Sequence, residues 1–243
     1  MSLLLWREDR SYLVEPGDRL ETDLGILDID ADVTPGSTIE THLGTRFFVL
    51  NPRPTDLFDL LQRSGAPMLP RDIGLLIGLT GITNEDRILD VGTGTGILAI
   101  TLARLGAEVV TYERTPEAAE LAMENIEIAG VEDSVAIREG DACTVSLQDR
   151  FDVLTLDTGD APTLAARSPD LLVPGGVIAA YNPFIEEARA VVNALDEAGL
   201  RQISTIEPFH REMEFGDRGS RPATAPVGHT GYLTTARFLP NNG

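Results

Sequence analysis

The chain has 243 residues, enough for one large domain or two smaller ones. Its formal net charge is -20, all 19 basic residues are Arg, and the single cysteine, Cys143, excludes an intrachain disulfide. No apolar run approaches a membrane span, and acids follow the short apolar N-terminal patch too soon for a signal peptide, so a cytoplasmic location and no membrane partner are expected.

An acidic, lysine-free surface is the habit of proteins from salt-loving cytoplasm, where screening lengths shrink and self-repulsion is cheap. Taken alone, such charge argues against nucleic acid. Adaptation to salt would impose the same acidity whatever the ligand, so that class stays open.

Residues 1–50 read as a small β module. Tyr12–Val14, Ile26–Ile29, Thr38–Glu40 and Arg46–Leu50 are β-prone runs punctuated by Pro-Gly and Leu-Gly pairs. Asn51–Pro54 is a stiff break, and Thr55 is a candidate cap for a helix through Leu57, Leu60 and Leu61. A small N-terminal β domain over 1–60 and a larger domain over 61–243 are expected. From Asp72 the pattern alternates: helix 72–79, strand 87–91, helix 96–105, strand 108–112, helix 116–129, strand 135–138, strand 151–156, a turn at 173–176, strand 176–181, helix 185–198, strand 202–207 and strand 232–238. That alternation predicts an α/β fold with a doubly wound, mostly parallel, Rossmann-like sheet. Residues 207–226 read as a loop or a hairpin arm.

The stretch Arg87–Gly96 places Asp90-x-Gly92-x-Gly94-x-Gly96 between a buried strand and a helix. Glycines there let a ligand approach the backbone closely. A dinucleotide fingerprint spaces its last two glycines by two residues, and a phosphate loop ends in Gly-Lys-Ser/Thr. Here the glycines alternate and no lysine follows, which points to S-adenosylmethionine (AdoMet). Asp90, Glu113, Asp141 and Asp157 stand at the ends of consecutive strands, which gather at one edge of a parallel sheet. Glu113 is placed to grip a ribose diol, and Asp141 to hold an adenine amino group.

On these residues and this strand pattern, the chain resembles the class I AdoMet-dependent methyltransferases. Ile39–Gly44, Leu69–Asp72 and Arg221-Pro-x5-Gly228-His-Thr-Gly-Tyr232 resemble, more narrowly, the tRNA adenine-58 N1-methyltransferases, in particular the archaeal members. The resemblance implies methyl transfer from AdoMet to N1 of adenosine in the tRNA T-loop, at position 58, with 57 as a further candidate. It also implies a homotetramer and tRNA as partner. It assigns Asp157 as catalytic, and Asp90, Gly92, Gly94, Thr95, Gly96, Ile97, Leu98, Glu113, Asp141 and Asp157 to the cofactor. Leu69, Tyr181 and His229 fall on the substrate side, and no metal is expected. A carboxylate bonded to the exocyclic N6 amine would raise electron density at N1 and stabilise the cationic product.

Two departures touch the substrate side. No aromatic follows Pro162 in Asp157-Thr-Gly-Asp-Ala-Pro162, and Leu69 stands where the family often has Tyr. A methyltransferase for a small molecule or a protein carboxylate is therefore the second reading, and a non-catalytic tRNA-binding subunit the third. His229 and His42 are each open between the site and a structural hydrogen bond. Arg218 and Arg221 are open between phosphate and surface ion pairs. Asp160 is expected to face solvent, and Cys143 to serve packing.

Overall fold

The structure, a computed structural model, describes residues 2–63, 65–224 and 227–239. Pro226, the end of the expected arm, lies outside the described residues.

The N-terminal part contains β1 (Leu3–Arg7), β2 (Arg10–Val14), β3 (Arg19–Thr22), β4 (Gly25–Asp28), β5 (Thr38–Glu40) and β6 (Arg46–Leu50). Four of these form an antiparallel sheet in the order β2-β1-β6-β5, and β3 and β4 pair as a hairpin. Alternation explains β6: Phe47 and Val49 point into a core with Leu3, Leu5, Val14, Leu27 and Ile29, while their neighbours are exposed. The unexpected strand β1 begins with an unbroken Leu-Leu-Leu run, so period two is invisible in the sequence. Leu3 and Leu5 enter the module's core, and Leu4, on the opposite face, is buried as well, while β2 and β6 take the two edges.

The segment Thr41–Gly44 is a latch. The Thr41 hydroxyl donates to the Leu24 carbonyl at 2.9 Å and accepts the Thr45 N–H at 3.1 Å. His42 Nδ1 accepts the Ile26 N–H at 2.8 Å. His42 therefore holds the β3–β4 hairpin, the structural one of its two readings.

Next come α1 (Pro54–Leu60), α2 (Pro70–Thr80), β7 (Arg87–Val91), α3 (Ile97–Arg104), β8 (Glu108–Glu113), α4 (Pro116–Ala129) and β9 (Val135–Glu139). The chain ends with β10 (Phe151–Leu156), α5 (Ala161–Leu171), β11 (Leu172–Asn182), α6 (Ile185–Glu197), β12 (Arg201–Ile206), β13 (Met213–Gly216), β14 (Gly219–Pro222) and β15 (Tyr232–Arg237). The cap of α1 is Arg53, not Thr55. Pro54 takes the first helical position, where its missing N–H costs nothing, and Asp56 accepts the Arg53 N–H at 2.7 Å. Leu57 and Leu61 pack into the core of the large sheet, and α1 also touches β2 of the β module, so it bridges the two.

The large sheet runs β12-β15-β11-β10-β7-β8-β9. Strands β7 to β11 are parallel, and β15 inserts antiparallel between β11 and β12. Successive residues serve opposite faces: Ile88 and Val153 enter one core, Leu89 and Leu154 the other. The strand order reverses between β7 and β10, and a ligand crevice belongs outside the carboxyl ends at such a point.

Helix α5 is an element that the sequence pattern does not predict, and it carries two prolines. Pro162 sits in the first turn, where proline is tolerated. Pro169 leaves the Ala165 carbonyl without its usual amide, and the Ser168 hydroxyl donates to that carbonyl at 2.7 Å. The expected turn at 173–176 is instead a bulge inside β11. Phe151 pairs with Leu172 but Val153 with Val177, and Gly175 at φ +89 absorbs the excess. The polar 207–226 stretch carries the β13–β14 hairpin, all of whose residues are exposed.

Candidate cofactor and catalytic site

Four loops, those after β7, β8, β9 and β10, and one connecting segment enclose a cleft of about 400 Å3 at the switch point. That volume suits a nucleoside-sized ligand. The floor is the turn after β7. The N–H groups of Gly92 and Thr93 both donate to the Tyr112 carbonyl, at 3.1 and 3.3 Å. The Gly96 N–H donates to the Thr93 carbonyl at 2.8 Å, which closes the turn and starts α3. Gly92 is demanded twice over. Its φ is +98, and a Cβ there would stand 2.1 Å from the Asp157 carbonyl oxygen. Around Gly94, at φ +54, a Cβ would meet almost nothing, so the open space belongs to the cleft. Thr95, Ile97 and Leu98 complete this wall.

Glu113, Asp141 and Asp157 all line the cleft. Each Glu113 oxygen accepts one backbone N–H at 3.0 Å, from Gly94 and from Thr115. The carboxylate is thereby aimed, and its remaining lone pairs are free for a diol. Asp141 Oδ1 accepts the Cys143 N–H at 2.8 Å, and the Gly140 N–H donates to the Glu113 carbonyl at 2.8 Å. These bonds tie the loops after β8 and β9 together.

The Asp157 backbone N–H donates to the Val91 carbonyl at 2.9 Å, which fixes its place beside the glycine turn. Its side chain accepts no hydrogen bond from the described residues. Burial, and then the nearby Asp90 charge, pushes its carboxyl up to about 7. An unpaired, half-buried carboxylate of this kind is disposed to receive a cation or a donor.

Asp90 and Gly96 do not line the cleft, against expectation. Asp90 points sideways within the sheet and accepts the hydroxyls of Thr155 at 2.6 Å and Thr111 at 2.7 Å. Thr93 extends the cluster, its hydroxyl 2.5 Å from that of Thr111. Burial raises the Asp90 carboxyl to about 6. Asp90 thus lies under the glycine turn as a support. Gly96 faces α4, where a Cβ would touch that of Ala122 at 3.4 Å.

The substrate side is rearranged too. His229 places Nδ1 2.8 Å from Glu207 Oε1 and Nε2 2.8 Å from the Pro183 carbonyl. Both nitrogens are occupied, and those bonds raise its pKa. His229 therefore staples the segment before β15 to the end of β11, the structural one of its two readings. Leu69 is the N-cap residue of α2 and borders a separate cleft of about 420 Å3 with Arg71, His210 and Val227. Tyr181 is buried, and its hydroxyl donates to Asp72 at 3.2 Å. Burial first, with the Asp72 and Asp157 charges, pushes it up to about 12, so it keeps its proton.

Asp160 does not stand free in solvent. It pairs with Arg114 at 2.8 Å, bridging the loops after β8 and β10 at the cleft rim. Arg221 pairs with Glu214 across the hairpin at 3.0 Å. Cys143 lines the cleft, and burial raises its thiol. Sequence reasoning missed the Ala66–Met68 wall, which carries no chemistry-bearing side chain, and Leu164 from the unforeseen α5. It also missed Arg167 of α5, which donates to the Ala142 and Cys143 carbonyls at 2.9 Å each and holds the Asp141 loop.

The residues fit AdoMet: an aimed carboxylate for a ribose, an open glycine turn, and an unpaired, half-buried acid suited to a cationic sulfonium. Comparison with known proteins agrees. A family described as "Methyltransferase domain" matches residues 88–176. The tRNA (adenine(57)-N(1)/adenine(58)-N(1))-methyltransferase TrmI of Methanocaldococcus jannaschii is 31% identical over 98% of this chain and 95% of its own. Among solved structures, a SAM-dependent O-methyltransferase from Thermotoga maritima superposes with a TM-score of 0.83, at 27% identity over 100% of this chain and 94% of that one. The tRNA (m1A58) methyltransferase TrmI of Aquifex aeolicus gives 0.78 at 20% identity, over 99% and 98%, and shares the fold. Similarity along almost the whole of both chains, glycine turn and flanks included, settles the family: this protein belongs to the TrmI tRNA (adenine-N1)-methyltransferases.

Proposed function

We propose that this protein transfers the methyl group of AdoMet to N1 of adenosine in the T-loop of tRNA, at position 58, with 57 as a second target. The observation that carries the reading is the Asp157 carboxylate, half-buried beside the glycine turn with no donor among the described residues. Bound AdoMet supplies a sulfonium methyl for in-line displacement. Glu113 holds the ribose end, and the Gly92–Thr95 turn keeps water and side chains out of the cofactor's path. Asp157 accepts a hydrogen bond from the adenine N6 amine and opposes the positive charge that develops on the ring. Orientation supplies much of the remaining acceleration, because the displacement needs nucleophile and methyl in line. The target adenine leaves its stack to reach the cleft.

Residues 1–60 and 61–243 act as two units in this reading, with α1 packed across the division. The lysine-free acidity supports an archaeal, halophilic source and a cytoplasmic setting. Among the described residues no helix is long and apolar enough to cross a membrane. A homotetramer is supported by the β13–β14 hairpin, whose Phe215 is 81% exposed. A light-scattering mass of one chain would end that part.

The second reading, methylation of a small molecule or a protein carboxylate, is favoured by the T. maritima neighbour and by the missing aromatic after Pro162. Labelled AdoMet and unmodified tRNA, incubated in molar salt, separate the two. The product expected is N1-methyladenosine at 58, or at 57 and 58. Its absence ends the first reading.

A further inference from the structure

Four residues from three distant segments of the chain meet behind the catalytic edge. Arg71 and Asp72 open α2, Tyr181 stands near the end of β11, and Thr230 precedes β15. Arg71 Nη2 donates to the Thr230 hydroxyl at 3.1 Å. The Tyr181 hydroxyl donates to Asp72 Oδ2 at 3.2 Å. The direction of both bonds is fixed, because a guanidinium only donates and a carboxylate only accepts. Tyr181 has no hydroxyl proton left for a ligand, and what it offers the cleft edge is its ring.

That ring is tightly boxed. A Cβ on Gly231 would lie 2.6 Å from Tyr181 Cζ, so backbone packs directly on it. The pairing of Leu156 with Ala180 sets Tyr181 beside Asp157 at the same strand ends. Asp72 has no exposed surface, and its Oδ1 has no hydrogen-bond partner, with Arg71 Nε 3.3 Å away but misaligned. For folding alone, an apolar residue would serve better at such a place. The arrangement makes sense by what the carboxylate holds.

We propose that Asp72 is a positioning residue for the target base, acting through Tyr181. Its carboxylate accepts the Tyr181 hydroxyl and, with the Gly231 backbone against the ring, fixes that ring for the base beside Asp157. Arg71 clamps the segment that carries Gly231, donating to the Thr230 hydroxyl and, at 3.2 Å, to the Val227 carbonyl. The inference rests on the tRNA reading and adds to it the device that orients the acceptor.

The test is a double-mutant cycle with Asp72→Asn and Tyr181→Phe, read by single-turnover methyl transfer to unmodified tRNA. Each single variant should slow transfer about tenfold or more, because a loosened wall misplaces the nucleophile. AdoMet affinity and the KM for tRNA should stay within about threefold. The double variant should be no slower than the slower single one, as for residues acting as one unit. If Asp72→Asn does not fold, Asp72→Ser removes the same acceptor carboxylate and completes the same cycle with Tyr181→Phe. A double variant slowed by the product of the single effects overturns the inference. So does a melting point that falls while the rate per folded molecule stays at the wild-type value. Wild-type protein that forms no N1-methyladenosine overturns the tRNA reading and the target base with it; an active wild type with a multiplicative double overturns the inference alone.

Discussion

Replacing Asp157 by Asn should stabilise the cofactor-free protein while abolishing transfer. Burial and the Asp90 charge raise the Asp157 carboxyl from an ordinary 3.8 to about 7. The folded chain therefore holds this proton more tightly than the unfolded one. The linked stability is fully present below about pH 3.8 and is lost as pH rises through about 7. At about 1.4 kcal/mol per pH unit, the full loss is on the order of 4 kcal/mol, an upper bound because wetting and relaxation relieve part of it. Asparagine keeps the shape and never ionises, so its advantage should be absent near pH 4 and approach that figure near pH 9. Some pH dependence should persist in the variant, since Asp90 is itself raised to about 6 by burial. Urea unfolding of the cofactor-free protein from pH 4 to 9, in constant molar salt, measures the difference. Parallel stability curves for wild type and variant would refute the burial argument. In the wild type, transfer should rise with pH and level off at or below about 7, because a bound sulfonium favours the ionised carboxylate.

Two more outcomes follow from the cofactor wall. Gly92→Ala should lose AdoMet binding or fail to fold, since its Cβ would collide with the Asp157 carbonyl at 2.1 Å and φ is +98. Wild-type affinity by calorimetry would show that the turn is not built as described. Glu113→Ala should weaken AdoMet by about tenfold or more, because it removes the aimed acceptor and frees the Gly94 and Thr115 amides it holds. Unchanged binding would move the ribose contact elsewhere.

The order of the parallel strands and the acids at their ends were legible because both are local. A buried strand is a run of apolar residues, a helix is a period, and a strand-end acid is a residue counted from a boundary. Glu113, Asp141 and Asp157 could be placed at one cleft from that alone, and the structure brings all three to it. The glycine turn was legible for the same reason: alternating glycines after a strand have few uses.

The sequence by itself determined the doubly wound sheet, the cofactor turn and the acids around it, since each follows from spacing along the chain. What tertiary structure decided was direction and company. Asp90 precedes the glycine turn in sequence, yet its carboxylate turns inward to two threonines on neighbouring strands. His229 lies in the motif most specific to the family, yet Glu207 and Pro183 take both its nitrogens. Asp72 reads as an ordinary acid in a first helical turn, and only folding sets it against Tyr181, 109 positions away. A hydrogen bond between distant segments leaves no trace in local spacing, because its geometry exists only once the sheet has closed over its own core.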